Sequence, residues 1–211
     1  MTDAHTHASI GTGTVLPVVE SFYTVQGEGV NTGKAAWFIR LGGCDVRCPW
    51  CDSRNSWDAA SFPLTDIEDI VSPITGSPAV NVVITGGEPL MHDLGPLCGR
   101  LKEKGYNIFL ETSGTHPLSG VFDWICVSPK KHRPPLQEVL EKADELKAVA
   151  GCLEDIAWAE DIRKHVRRQC VLLLQPEWGQ RQSATPIIIE YVKEHPEWRI
   201  SLQTHKYLGI P

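Results

Sequence analysis

Three thiols fall within eight residues. Cys44-Asp45-Val46-Arg47-Cys48-Pro49-Trp50-Cys51 has the spacing CxxxCxxC, and three thiolates on one short loop can hold a metal centre. A structural zinc takes four ligands, yet no fourth Cys or His follows at finger spacing, the nearest downstream histidine being His92. An iron–sulfur cubane is usually held by four cysteines, so three would leave one iron open to a further ligand. A second candidate is Thr85-Gly86-Gly87-Glu88-Pro89. Its glycines allow a backbone to approach a ligand closely, and Glu88 can complement an ammonium. The other four cysteines read differently. Cys98 sits on the apolar face of a helix pattern, and Cys126 and Cys170 lie in apolar runs, all three as packed thiols. Cys152 follows Gly151 in an expected turn and has no ligand-spaced neighbour.

Chemistry of this kind needs a scaffold that brings separate loops together. Short apolar runs at 36–41, 80–85, 106–111, 124–127, 145–149, 170–174 and 198–202 read as strands, most of them closing on Gly, Ser or Pro. Helical patterns lie between them. Thr65 is placed to cap a helix with Glu68 three residues on. Leu94, Leu97, Cys98 and Leu101 form one face, Trp158, Ile162 and Val166 a second, and Ile188, Ile189 and Val192 a third. Apolar strands alternating with helices predict an α/β fold with parallel pairing. About six parallel strands, with too few helices for eight units, predict a reduced, partial (β/α) barrel. In such a sheet the strands' carboxyl ends form the working rim, and the cysteine loop, the Gly-Gly-Glu-Pro turn, Glu111-Thr112-Ser113-Gly114 and Ser128-Pro129-Lys130 all fall there.

Length and charge exclude other classes. At 211 residues the chain is short of the roughly 250 of a full barrel and suits one domain over 17–211, preceded by a flexible arm over 1–16 that carries His5 and His7. Its 20 Lys+Arg against 26 Asp+Glu, net −6, argue against a nucleic-acid partner. No apolar run approaches the ~18 residues of a membrane span, and the first residues lack the regions of a secretory signal. A cytoplasmic protein is expected, and an odd count of seven cysteines fits no disulfide framework.

The cysteine spacing after the first barrel strand, Trp50 before the third cysteine, and Gly-Gly-Glu-Pro after the second strand closely resemble the radical S-adenosylmethionine superfamily. Further segments resemble its deazapurine-forming family over nearly the whole chain: Phe22-Tyr23-Thr24-Val25-Gln26-Gly27-Glu28-Gly29, residues 123–130, Asp144-Glu145-Leu146-Lys147, and the C-terminal stretch from Leu202 to Pro211. The resemblance implies a lyase that converts 6-carboxy-5,6,7,8-tetrahydropterin to 7-carboxy-7-deazaguanine with release of ammonia, in queuosine-type biosynthesis. It implies a [4Fe-4S] cluster on Cys44, Cys48 and Cys51, together with S-adenosylmethionine and Mg2+. Gly87, Glu88, Ser128, Pro129, Lys130, Gln175 and Pro176 would bind S-adenosylmethionine. Val25, Gln26, Gly27, Arg40, Thr85 and Pro211 would bind the substrate. Ser53 stands where the family often has a threonine as Mg2+ ligand, and still offers a hydroxyl oxygen. Reduced flavodoxin or ferredoxin as electron donor and a homodimeric assembly are also implied.

A pterin edge suits the backbone and amide groups of 25–27, and a carboxylate suits the Arg40 guanidinium. Glu111 and His205 are the candidates for proton handling, a packed His205 being the competing reading. Arg40 likewise has a surface salt bridge as its alternative. Two other functions remain open from the residues: an activase for a glycyl-radical enzyme, which shares the cysteine spacing, and a zinc-bearing interaction module.

Overall fold

The computed structural model describes residues 13–211. The first strand, β1 (Val15–Val25), pairs antiparallel with β2 (Ala35–Leu41) and, through its first residues, with the short β3 (Leu64–Asp66). From β2 the sheet runs parallel through β4 (Asn81–Gly86), β5 (Asn107–Thr112), β6 (Trp124–Val127), β7 (Glu145–Ala150), β8 (Val171–Pro176) and β9 (Trp198–Ile200). Seven parallel strands therefore occupy the seven apolar runs, in an open sheet edged by β3 and β9. The helices are α1 (Ile67–Thr75), α2 (Gly95–Glu103), α3 (Gln137–Leu140), α4 (Leu153–Ile162), α5 (Arg181–Glu194) and α6 (Thr204–Leu208).

Strand periodicity gives the sheet two unlike faces. Ile39, Leu41, Ile84, Leu110, Leu146 and Leu174 are buried with Leu97, Leu101 and Ile188 of the helices, forming the main core. Their neighbours along the strands point the other way. Parallel register sets Val83 beside both Phe38 and Phe109, and Phe109 beside Trp124, as an apolar floor. One step nearer the carboxyl ends, Arg40 stands beside Thr85, and Glu111 beside Cys126, which is itself beside Glu145. The second face is thus greasy at its base and charged at its rim.

Several expectations are corrected. Leu16, expected in a flexible arm, is wholly buried and pairs with Thr65; residues 1–12, with His5 and His7, lie outside the described residues. Thr65 is a strand residue and the cap of α1 is Asp66, whose carboxylate accepts from the Glu68 N–H at 2.9 Å. The Trp158 stripe breaks off at Ile162, since the chain tightens into a 3-10 turn and Val166 lies beyond it. Ile189 is exposed, while Ile188 packs inward. The eleven-residue β1 has no counterpart among the expected strands. Its bulge between Val18 and Glu20 sits next to Pro17, which cannot donate to a ladder.

Candidate active site

The cysteine loop leaves β2 through Gly42 and Gly43 and is pinned at both ends. Gly43 and Cys44 N–H groups donate to the carbonyls of Ser56 and Trp57 at 2.7 and 3.0 Å. Asp45 is gripped by Arg133 at 2.5 Å and by His116 at 3.0 Å, and His132 meets the Val46 carbonyl at 2.9 Å. Cys44 and Cys48 are buried and Cys51 half-buried, with all seven cysteines free thiols. Burial pushes the Cys44 and Cys48 thiols up, so their protons must leave when a metal binds.

The Gly-Gly turn presses on this loop. A Cβ on Gly87 would lie 2.3 Å from the Gly43 carbonyl oxygen, and one on Gly86 (φ +151°) 2.3 Å from that of Leu41. Two hydrogen bonds fix the contact, Gly87 N–H to Leu41 O at 2.9 Å and Glu88 N–H to Gly43 O at 2.8 Å. Glu88 is 1% exposed and its oxygens are taken by four protein donors. They are the Leu90 N–H at 3.0 Å, the Thr112 hydroxyl at 2.5 Å, the Ser113 N–H at 2.8 Å, and the Ser113 hydroxyl. The expected ammonium partner is therefore a brace between the ends of β4 and β5.

Two cavities meet at the rim. The first, about 940 Å3 with its open mouth, is lined by Cys44, Cys48, Cys51, Gly87, Glu88, Ser128, Lys130, Gln175 and Pro176 among others. This is the set expected to hold the cluster and S-adenosylmethionine, except Pro129, which lines a small neighbouring pocket with Lys131 and Gly151. Lys130 Nζ donates to Ser128 Oγ at 2.6 Å. The second cavity, about 1420 Å3 with its open mouth, gathers Val25, Gln26, Gly27, Arg40, Ser53, Thr85, Glu111, His205 and Pro211 over the aromatic pair Phe22 and Phe38. Those two rings stack at 5.7 Å. Arg40 pairs with Glu20 at 2.6 Å and reaches Ser53 Oγ at 3.4 Å, so it is both a salt-bridge residue and part of the cavity wall. His205 lies against Gly27, where a Cβ would meet its Nδ1 at 2.4 Å, and burial lowers its pKa against the pull of Glu28. Thr204 donates to the Gly27 carbonyl by both N–H and hydroxyl at 2.8 Å, fixing α6 on the same loop.

Glu28, Cys51, Asp52, Glu111 and Lys147 line both cavities. Lys147 is 3% exposed and lies 2.7 Å from Glu28 and 2.9 Å from Glu111. Burial alone would raise the Glu28 pKa, but Lys147 with Gln203 and Gln175 hold it down at about 2. Burial pushes Glu111 up, against Lys147 and with the help of Glu145 and Glu28. Although burial opposes it, the surrounding acidic groups (Cys126, Glu111, Glu28, Glu145) hold the Lys147 ammonium well above its usual range. Glu28 and Lys147 were not among the expected site residues. The signal was present: a lysine inside an otherwise apolar strand run marks a buried charge that needs partners.

The three thiols fit a cluster with one open position, since among the described residues no fourth cysteine lines the first cavity. Ser53, beside Asp52, offers one hard oxygen to the second. Comparison with known proteins agrees in sequence and shape. Residues 38–169 match the Radical SAM superfamily. The 7-carboxy-7-deazaguanine synthase of Flavobacterium psychrophilum is 48% identical over 94% of both chains. The chain belongs to the 7-carboxy-7-deazaguanine synthase family. The family member from Synechocystis sp. is 47% identical over 92% of this chain and 93% of its own. The crystal structure of QueE from Escherichia coli superposes with a TM-score of 0.82 at 36% identity, covering 90% of this chain and 95% of that one. The family's radical SAM fold is therefore present as the partial barrel expected.

Proposed function

We propose that this chain converts 6-carboxy-5,6,7,8-tetrahydropterin to 7-carboxy-7-deazaguanine with release of ammonia, as a radical S-adenosylmethionine lyase of queuosine-type biosynthesis. The observation that carries the reading is a single group, Glu28–Lys147–Glu111, shared by a cavity with three free thiols and a cavity with Arg40, Thr85 and an aromatic floor. When bound, a [4Fe-4S] cluster and S-adenosylmethionine supply the one-electron chemistry that draws hydrogen from the substrate.

The protein's part is binding, orientation and charge. Cys44, Cys48 and Cys51 hold the cluster. Gly87, Ser128, Lys130, Gln175 and Pro176 surround S-adenosylmethionine, with Glu88 fixing the Gly87 turn. In the second cavity Arg40 faces the substrate carboxylate, and Val25, Gln26, Gly27 and Thr85 face its donor and acceptor edge. Pro211 closes the same cavity. Ser53 offers its hydroxyl to Mg2+, and Glu111 and His205 hold or release protons in the same cavity. Reduced flavodoxin or ferredoxin is the electron donor in this reading, the assembly a homodimer and the compartment the cytoplasm. Among the described residues, no helix is long and apolar enough to cross a membrane.

Anaerobic reconstitution with iron, sulfide, S-adenosylmethionine, Mg2+, reductant and the carboxytetrahydropterin tests the reading. The expected product is the deazaguanine acid, with a lower yield when Mg2+ is omitted. Cleavage of S-adenosylmethionine without that product would remove the substrate but keep the superfamily chemistry. Protein that takes up zinc and no iron or sulfide would support the interaction module instead.

A further inference from the structure

We infer that Lys147 is a positioning residue that sorts the two carboxyls of the shared group, fixing Glu28 as the carboxylate and leaving Glu111 as the carboxyl that holds a proton. The inference rests on the proposed function only for its kinetic readout. Its basis is an asymmetry of bonding around one buried ammonium. Glu28 receives Lys147 at 2.7 Å and Gln175 at 3.2 Å on one oxygen, and Gln203 at 2.8 Å on the other. Glu111 receives two N–H donors, Lys147 at 2.9 Å on one oxygen and Gln26 at 3.2 Å on the other, and the Cys126 thiol besides.

The remaining groups around them sharpen that asymmetry. From β7, Glu145 is 1% exposed and accepts from the Trp124 indole at 2.9 Å and the Val30 N–H at 3.2 Å. From β6, the Cys126 thiol reaches Glu145 at 3.5 Å. Further titratable groups beside this group are Lys130 at the β6 exit, Asp52 after the cysteine loop, and His205 and Lys206 of α6, with Lys206 pairing with Asp52 at 2.6 Å. Two half-buried carboxyls share one buried ammonium, with the buried Glu145 beside them, and like charges in low dielectric cannot all ionise cheaply. Of the two carboxyls that the ammonium bridges, the proton falls to the one with fewer N–H donors, Glu111, which also fronts the second cavity. Lys147 thus acts through its neighbours.

Infrared spectra of the cluster-free protein and pH profiles of the reconstituted enzyme test this together. In the wild type, a buried carboxylic-acid band should disappear on Glu111→Gln. In Lys147→Met a second such band, removed by Glu28→Gln, should appear as Glu28 takes a proton. The acid limb of kcat/KM should move up by about one pH unit or more, since a one-unit shift corresponds to about 1.4 kcal/mol, and Lys147→Arg should return it toward the wild-type position. A merely structural lysine would lower activity at every pH and move neither the band nor the limb, and that result would overturn the inference. If Lys147→Met does not fold, Glu28→Gln alone serves. It leaves the ammonium to Glu111 and must weaken the Glu111 band, so an unchanged band overturns the inference too. Wild-type turnover is scored first: absence of product removes the proposed function, whereas product with unmoved bands and limb removes only the role of Lys147.

Discussion

One oxygen of Glu88 accepts from both the backbone N–H (2.8 Å) and the hydroxyl of Ser113, so a single buried carboxylate joins the exits of β4 and β5. Glu88→Gln keeps the shape but turns an amide N–H toward those donors. A buried group left with its bonds opposed costs about 1–3 kcal/mol, more where a charge was involved. Thermal unfolding of the cluster-free protein should drop by several degrees, with weaker S-adenosylmethionine binding. An unchanged melting curve would show that the brace carries no weight.

Gly87→Ala tests the pressing of the turn on the cysteine loop. The added methyl would fall 2.3 Å from the Gly43 carbonyl oxygen and 2.7 Å from the Cys44 Cβ, neither of which is the far end of a flexible chain. Destabilisation of about 2 kcal/mol or more is expected, together with reduced iron retention, measured by unfolding and iron analysis. Retention of both would mean that the loop yields freely.

The cysteines should divide cleanly. Cys48→Ala should abolish turnover and lose iron. Cys98→Ala should keep its iron and activity, and cost about 1 kcal/mol for the small cavity it leaves. Burial pushes the Cys98 thiol up to about 11, in keeping with an inert packed group. Iron loss in Cys98→Ala would contradict its assignment to the core.

Stability should fall in acid through Glu28. Its folded pKa is about 2 against an ordinary 4.5, so the unfolded chain binds the extra proton between those values. Unfolding free energy therefore rises with pH across that window, and the stabilisation, of order 3 kcal/mol, is complete above it and lost as pH falls toward 2. Denaturant titrations of wild type and Glu28→Gln at pH 3 and pH 5 should show the steeper acid loss in the wild type. Parallel losses would refute the contribution.

The parallel strands were legible because runs such as 80–85 and 106–111 are apolar and end on small residues. The cysteine loop was legible because thiol spacing is local. β1 was not: its partners are Ala35–Leu41 and Leu64–Asp66, and only that pairing makes a strand of a segment containing Pro17 and a bulge. The shared group was half legible. Glu28 and Lys147 lie 119 residues apart and meet only when β7 enters the sheet, so the lysine's place in an apolar run marks a buried charge without naming its partner. The same limit made Glu88 look free for a ligand, since its partners Thr112 and Ser113 arrive from β5 and its exit.

The shared group has a thermodynamic consequence. A molecule in the first cavity and one in the second are lined by the same ammonium and its two carboxyls. A change in affinity that the first occupant causes for the second must be returned by the same factor. The two ligands therefore share one coupling free energy, and their order of arrival cannot alter it.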